Sequence, residues 1–165
     1  MNTSTPDILV VGGAGYIGSH VVKALRNAGR QPVVFDNLST GLRENLFPEI
    51  PFIHGDLLIP EQVRAAMKGI RSVVHLAALK AAGDSMLEPE RYALHNLNGT
   101  VNLLHAAGTA GVRHFVFSSS AAVYGEPQYL PLDENHPTEP ANFYGQTKLQ
   151  IEVLLSWFSR LRNMR

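Results

Sequence analysis

Residues 8–18 read Ile8-Leu9-Val10-Val11-Gly12-Gly13-Ala14-Gly15-Tyr16-Ile17-Gly18, and their pattern decides the fold. An aliphatic run stops at a glycine pair. From Ile17 the pattern turns helical, with Ile17, Val21, Val22, Leu25 and Ala28 on one face and Gly29 closing the C-terminus. The stretch is therefore a strand, a tight turn and a helix. Gly12, Gly15 and Gly18 stand three apart within it. Gly12 lets the chain turn off the strand, Gly15 lets the backbone approach a pyrophosphate at the helix N-terminus, and Gly18 lets the helix pack on the sheet. Glycine clusters are often plain turns, but here a strand precedes and a helix follows. Asp36 also ends the next strand, where a carboxylate accepts hydrogen bonds from adenosine ribose hydroxyls and repels a 2′-phosphate. A dinucleotide site that favours NAD over NADP is expected.

Outward from that unit, strands and helices alternate. Residues 32–35 form a second strand ending at Asp36, 37–50 a loop, and 51–54 a third strand. Residues 60–67 read as a short helix with Pro in its first turn, and 73–77 as a fourth strand. A long helix is expected over 89–110, stopped by Gly111. Residues 114–117 form a fifth strand, followed by Ser118-Ser119-Ser120. Residues 124–142 are a Pro-rich polar excursion, and the last helix runs from 142 to 161 with Arg160, Arg162 and Arg165 at its end. Short apolar strands alternating with helices predict an α/β fold: a doubly wound, Rossmann-type parallel sheet covered on both faces, in the order 3-2-1-4-5. No domain boundary falls inside residues 1–165.

Composition narrows the partners. The 165 residues are 45% hydrophobic and 17% charged with zero formal net charge, so nothing draws the chain to nucleic acid or an anionic membrane. The absence of Cys excludes disulfides and thiolate metal sites. Residues 1–7 have neither the basic region nor the apolar run of a signal peptide, and no stretch is long enough to span a bilayer. A soluble, cytoplasmic protein is the expectation.

Tyr144 and Lys148 lie four apart at the start of the last helix and share a face. A free phenol, with a pKa of about 10, is protonated at neutral pH. A nearby ammonium or an oxidised nicotinamide favours the phenolate and makes it a usable base. By itself the pair also suits a plain surface helix. Its place after the fifth strand and the serine cluster, where ligands bind in open α/β sheets, favours chemistry. One serine hydroxyl can bond the same substrate oxygen, while Ser118 and Ser119 are read first as strand-end caps.

Together these motifs resemble the extended short-chain dehydrogenase/reductase family, most closely its UDP-glucose 4-epimerases. The matching segments are residues 12–20 (GGAGYIGSH), 36–41 (DNLSTG), 55–57, 75–85 (HLAALKAAGDS), 96–104 (NLNGTVNLL), 117–125 (FSSSAAVYG) and 144–148. The resemblance implies NAD held as a bound cofactor. Gly12, Gly15, Tyr16, Ile17 and Gly18 would lie at the pyrophosphate, and Asp36 with Asn37 at the adenosine ribose. Asp56 and Leu57 would bracket the adenine. Ala77, Ala78 and Leu79 would line the path to the nicotinamide, with Lys80 near a phosphate and His95 and Ser118 also at the cofactor. Tyr144 would be the catalytic base, Lys148 its partner and a ribose ligand, and Ser120 the hydroxyl beside the reacting oxygen. The implied reaction inverts C4 of a UDP-hexose through a 4-keto sugar.

Two positions depart from the pattern: His95 replaces a usual Asn, and Ala122 replaces a common Thr. The family continues past this point with further strands and a smaller substrate domain. Residues 1–165 are thus expected to be an incomplete NAD-binding domain, truncated before both. A homodimer through the helices near 89–110 and 142–161 is also implied. Two other readings stand beside this one. A 4,6-dehydratase would carry an acidic pair after Ser120, where this chain has Ala121-Ala122. The other is a truncated dinucleotide-binding module without turnover, which the absence of the family's C-terminal half supports. Seven scattered His show no metal-ligand spacing, Asp133 and Glu134 read as solvated, and Trp157 and Phe158 as core or as facing a partner subunit.

Overall fold

The computed structural model describes residues 6–165. Residues 1–5, most of the stretch read above for a leader, lie outside them. Five parallel strands, β1 (Ile8–Val11), β2 (Pro32–Asp36), β3 (Phe52–His54), β4 (Ser72–His75) and β5 (His114–Phe117), form one sheet in the order β3-β2-β1-β4-β5. This is the expected doubly wound order. All four residues of β1 are buried, which is why its sequence is a continuous apolar run rather than an alternation. Val11 lies beside Phe35 on one side and His75 on the other, so the C-terminal ends of three strands open at one place.

The helices divide between the faces. Leu9, Val11, Val33, Phe35, Val73 and Phe115 point to one face and pack under α2 (Pro60–Ala66), α5 (Gly99–Ala110) and α6 (Phe143–Arg162). Ile8, Val10 and Val34 point to the other, where α1 (Tyr16–Asn27) covers them with Leu46, Phe47 and Ile50. That cover stops short of β5, where Val116 is 58% exposed. The sheet is thus buried on both faces over β1 and β2 and open on one face at β5.

Two further expectations are corrected. The helix read as continuous over 89–110 is built in pieces: α4 (Pro89–Tyr92), a π-helical turn over Ala93–Asn98, then α5. A short α3 (Ala82–Leu87) precedes it and was not expected. Glu88, at φ −127° and ψ 56°, separates α3 from α4, and Pro89 opens the new helix. Trp157 is 55% exposed rather than core, although Phe158 does pack on the core. The reason is helical phase: Trp157 is four residues from both Val153 and Leu161, and all three are exposed. The outer side of β5 carries one partner. Arg165 N–H donates to the Arg113 carbonyl and Phe115 N–H donates to the Arg165 carbonyl, a parallel-ladder pattern that follows a left-handed Asn163 and a buried Met164.

His75, at the end of β4, is fully buried between Phe115, Phe117 and Thr100. The Thr100 hydroxyl gives its single proton to the Asn96 carbonyl at 2.6 Å, so it must accept from His75 Nε2 at 2.9 Å. Nδ1 is buried without a partner, so a second proton there would have no acceptor, and the imidazole is neutral with its proton on Nε2. Burial, helped by the Lys148 charge, pushes its pKa down to about 3. The unfolded chain takes up this proton near pH 6.5 and the folded chain does not. Stability is therefore full above about pH 6.5 and falls as pH drops toward 3. Chemical denaturation at pH 6.5 and 5.0 should show a loss on the order of 2 kcal/mol from this group. A His75→Gln variant with the same pH slope would disprove the assignment.

Candidate functional site

The turn after β1 delivers the N-terminus of α1 to the cleft. Gly15 caps the helix with no side-chain acceptor, and no acid lies in the first turn. The first helical hydrogen bond is Ser19 N–H to the Gly15 carbonyl at 2.9 Å. Helix geometry leaves the amides of residues 16–18 without intrahelical partners, at the positive end of the helix dipole. Tyr16 and Ile17 are 78% and 60% exposed beside them. Such an end suits an anion.

Asp36 closes β2 and is buried. Its carboxylate accepts from Ala14 N–H at 3.0 Å and Leu38 N–H at 2.8 Å. A carboxylate offers about four lone-pair sites, so acceptor capacity remains toward the cleft. The side chain thus has a second task that sequence reasoning missed: it ties the glycine turn to the loop after β2. Asn37 donates to Asp56 Oδ2 at 2.9 Å, and Leu58 N–H donates to Asp56 Oδ1 at 2.8 Å. Burial acts to raise the Asp56 pKa. The Leu58 amide, Asn37 and the His95 imidazole outweigh it and hold the carboxyl below its usual range.

These groups line one cleft of about 500 Å³. Gly12, Gly15, Tyr16, Ile17, Gly18, Asp36, Asn37, Asp56, Leu57, Ala77, Ala78, Leu79, Lys80, His95 and Ser118 all contribute to its wall. Tyr144, Lys148 and Ser120 are not part of that wall. They form an adjoining cluster that meets the cleft at Ser118.

That cluster is set by the start of α6. Asn142 caps the helix by accepting from Gly145 N–H at 2.8 Å, and Tyr144 N–H donates to Ser85 Oγ at 3.0 Å. A Cβ on Gly145 would stand 2.4 Å from the Ala122 carbonyl oxygen, so glycine alone permits the helix to seat against the turn at Ala121–Val123. Lys148 is 3% exposed; its ammonium donates to the Ser118 carbonyl at 2.9 Å and lies 5.8 Å from the centre of the Tyr144 ring. Burial pushes the Lys148 pKa down to about 8. Ser120 Oγ accepts from Ala122 N–H at 3.1 Å, which leaves its proton free to donate. Ser119 is not a strand cap: its hydroxyl donates to Glu152 on α6.

Asn96 is the residue that sequence reasoning left without a role. It lies buried in the π-helical turn. Its Oδ1 accepts from Leu79 N–H at 2.9 Å, and its Nδ2 donates to the Leu79 carbonyl at 3.0 Å and to Thr147 Oγ1 at 3.1 Å. Thr147 in turn donates to the Tyr144 carbonyl at 2.7 Å. One amide thus joins the loop after β4 to the helix that carries Tyr144. Asn96 and Thr100 lie four apart on one helical face, and both are buried.

Comparison with known proteins gives a consistent picture. The NAD dependent epimerase/dehydratase family matches residues 8–165. The UDP-glucose 4-epimerase of Streptomyces lividans is 44% identical over 151 residues, covering 90% of this chain and 46% of that protein. The chain spans about half the length of the curated relatives it matches. The crystal structure of UDP-glucose 4-epimerase from Brucella ovis in complex with NAD superposes with a TM-score of 0.94 at 39% identity, covering 98% of this chain and 50% of that one. The enzyme of the same name from Thermotoga maritima, solved with UDP-glucose, gives 0.92 at 36% identity, covering 96% and 52%.

Proposed function

Because the chain belongs to the NAD dependent epimerase/dehydratase family, we propose that it supplies the cofactor-holding and proton-transferring half of an enzyme that inverts C4 of a UDP-hexose, UDP-glucose and UDP-galactose being the pair. One observation carries the reading: the buried Lys148 ammonium is bonded to the carbonyl of Ser118, and Ser118 lines the same cleft as the glycine turn. Acid–base groups and a dinucleotide cradle therefore meet at one residue.

The residues fit NAD. The unpartnered amides of residues 16–18 would take the pyrophosphate, and Asp36 the ribose hydroxyls. Asp56 and Leu57 would flank the adenine, and Ala77–Lys80 with His95 and Ser118 would complete the wall. When bound, NAD would accept hydride from the sugar carbon and return it to the other face. Tyr144 would hold the proton of the sugar's C4 hydroxyl. Lys148, at low dielectric beside that ring, would stabilise the anionic state, and Ser120 would donate to the same sugar oxygen. Recognition of the uridine diphosphate would fall to a segment outside these residues, as the half-length match to the relatives suggests.

The same reading includes a homodimer through the exposed faces of α5 and α6. Leu97, Leu149, Val153 and Leu154 line an apolar groove there, and Val101, Trp157 and Leu161 are exposed. No helix of the described residues is long and apolar enough to cross a membrane, and a cytoplasmic site of action is part of the proposal.

Asp36 provides the test. Asp36→Ala should weaken NAD binding about tenfold or more, because a hydrogen bond to a charged group is worth roughly 1.5–3 kcal/mol. It should also relax discrimination against NADP, since the repelling charge is gone. Parallel titrations with the two cofactors decide the matter, and unchanged affinity for both would sink the assignment.

A further inference from the structure

Glu152 is the charged group near the site that the reaction above does not use. It stands one helical turn after Lys148, on the same face of α6, where an ion pair between the two would be the default contact. That pair is not made. Among the described residues, Lys148 points to the Ser118 carbonyl and Glu152 accepts the Ser119 hydroxyl. Two neighbouring positions of α6 thus grip two consecutive residues beyond β5. The next residue, Ser120, caps the turn over Ala121–Val123, and Ala122 of that turn abuts Gly145 at the start of α6. The strand end, the turn and the helix form a closed ring with Glu152 as one fastener.

We propose that Glu152 is a positioning residue of this site: through Ser119 it pins the end of β5, which keeps the Ser118 carbonyl on the Lys148 ammonium and holds Ser120 at the cap of the turn that follows. The contact is reciprocal. While Ser119 occupies the carboxylate, Glu152 does not draw the ammonium out of the site into an ion pair along the helix. The proposal rests on the reading of Lys148 and Ser120 as proton-transfer groups. The other groups facing the ammonium are the rings of Phe117 and Tyr144 and the neutral His75. No second carboxylate among them takes over the role.

The readout is the titration of Lys148 itself, followed by NMR of isotope-labelled lysine side chains. The chain has four lysines, Lys23, Lys68, Lys80 and Lys148, so the signal is assignable by Lys148→Met. The wild-type midpoint should lie near 8. In Glu152→Ala the strand end loosens and water reaches the ammonium. In Ser119→Ala the freed carboxylate pairs with it. Both should raise the midpoint by about one pH unit, a tenfold change in proton affinity. Glu152→Gln keeps an acceptor for Ser119 and should leave it in place. If Glu152 acted only through its charge, Ala and Gln would both lower the midpoint, because an anion that favours the ammonium would be lost. That result, or no shift in any variant, overturns the proposal. Should Glu152→Ala fail to fold, Ser119→Ala and Glu152→Gln still decide it. NAD titration of the wild-type chain separates the two levels: absence of binding defeats the proposed function, while the lysine midpoint judges Glu152.

Discussion

Tyr144→Phe should lower epimerase turnover by about 10²–10⁴-fold, the usual worth of a positioned acid–base group, in any polypeptide that carries residues 1–165 and interconverts UDP-glucose and UDP-galactose. Cofactor affinity should be largely unchanged. The ring stays in place because the features that set it do not involve the phenol. Asn142 caps the helix, Ser85 accepts the Tyr144 amide, and Thr147 donates to its carbonyl. The Lys148 ammonium is held by Ser118, not by the phenol oxygen. A loss in kcat without a loss in NAD binding is thus the signature of proton transfer. A variant with near-normal turnover would show that another group is the base. A variant that lost NAD binding in step with turnover would show that Tyr144 serves the cofactor instead.

Gly18→Ala should damage the fold and the cofactor site together. A Cβ at this position would stand 2.1 Å from the Gly12 carbonyl oxygen and 2.7 Å from Gly13 Cα. Both are backbone atoms, so no rotamer relieves the clash. The Gly12 carbonyl is also committed to the Gly15 amide at 3.2 Å, within the turn that aims the helix. α1 must move off the sheet. Overpacking of this kind costs about 1–3 kcal/mol and sometimes more, and a backbone clash belongs at or above the top of that range. A fall in Tm of about 6–12 °C is expected for a chain of this size. NAD affinity should fall at least tenfold, because the amides of residues 16–18 move with the helix. Gly83→Ala is the control: its Cβ would meet nothing within 4 Å. If both variants melt and bind alike, the close packing at Gly18 does not matter.

The parts that could be read from sequence are those with a period or a steric signature. β1 is legible because four buried residues in a row leave no polar position. The glycine turn is legible because Gly18 faces a carbonyl that no side chain tolerates. The strand order follows from right-handed βα units. The rest depends on contacts between distant segments. The π-helical turn over Ala93–Asn98 inserts an extra residue into a helix without any compositional mark, so residues 89–110 read as one element. Trp157 looks like core by residue type, yet its phase with Val153 and Leu161 puts it outside. Asn96 and Thr147 are 51 positions apart, and nothing local says that they meet. Ser119 reads as a cap because its partner, Glu152, lies 33 positions on.

The pairing of Arg165 with β5 bears on how copies of this chain behave toward one another. An exposed parallel edge is a template on which a foreign strand grows by copying the ladder. β5 has four residues, and the outward amide of Phe115 with the outward carbonyl of Arg113 is already taken by Arg165. A foreign strand adding at this edge meets the Arg113 carbonyl and the Phe115 amide already bonded, so pairing there requires Arg165 to be displaced first.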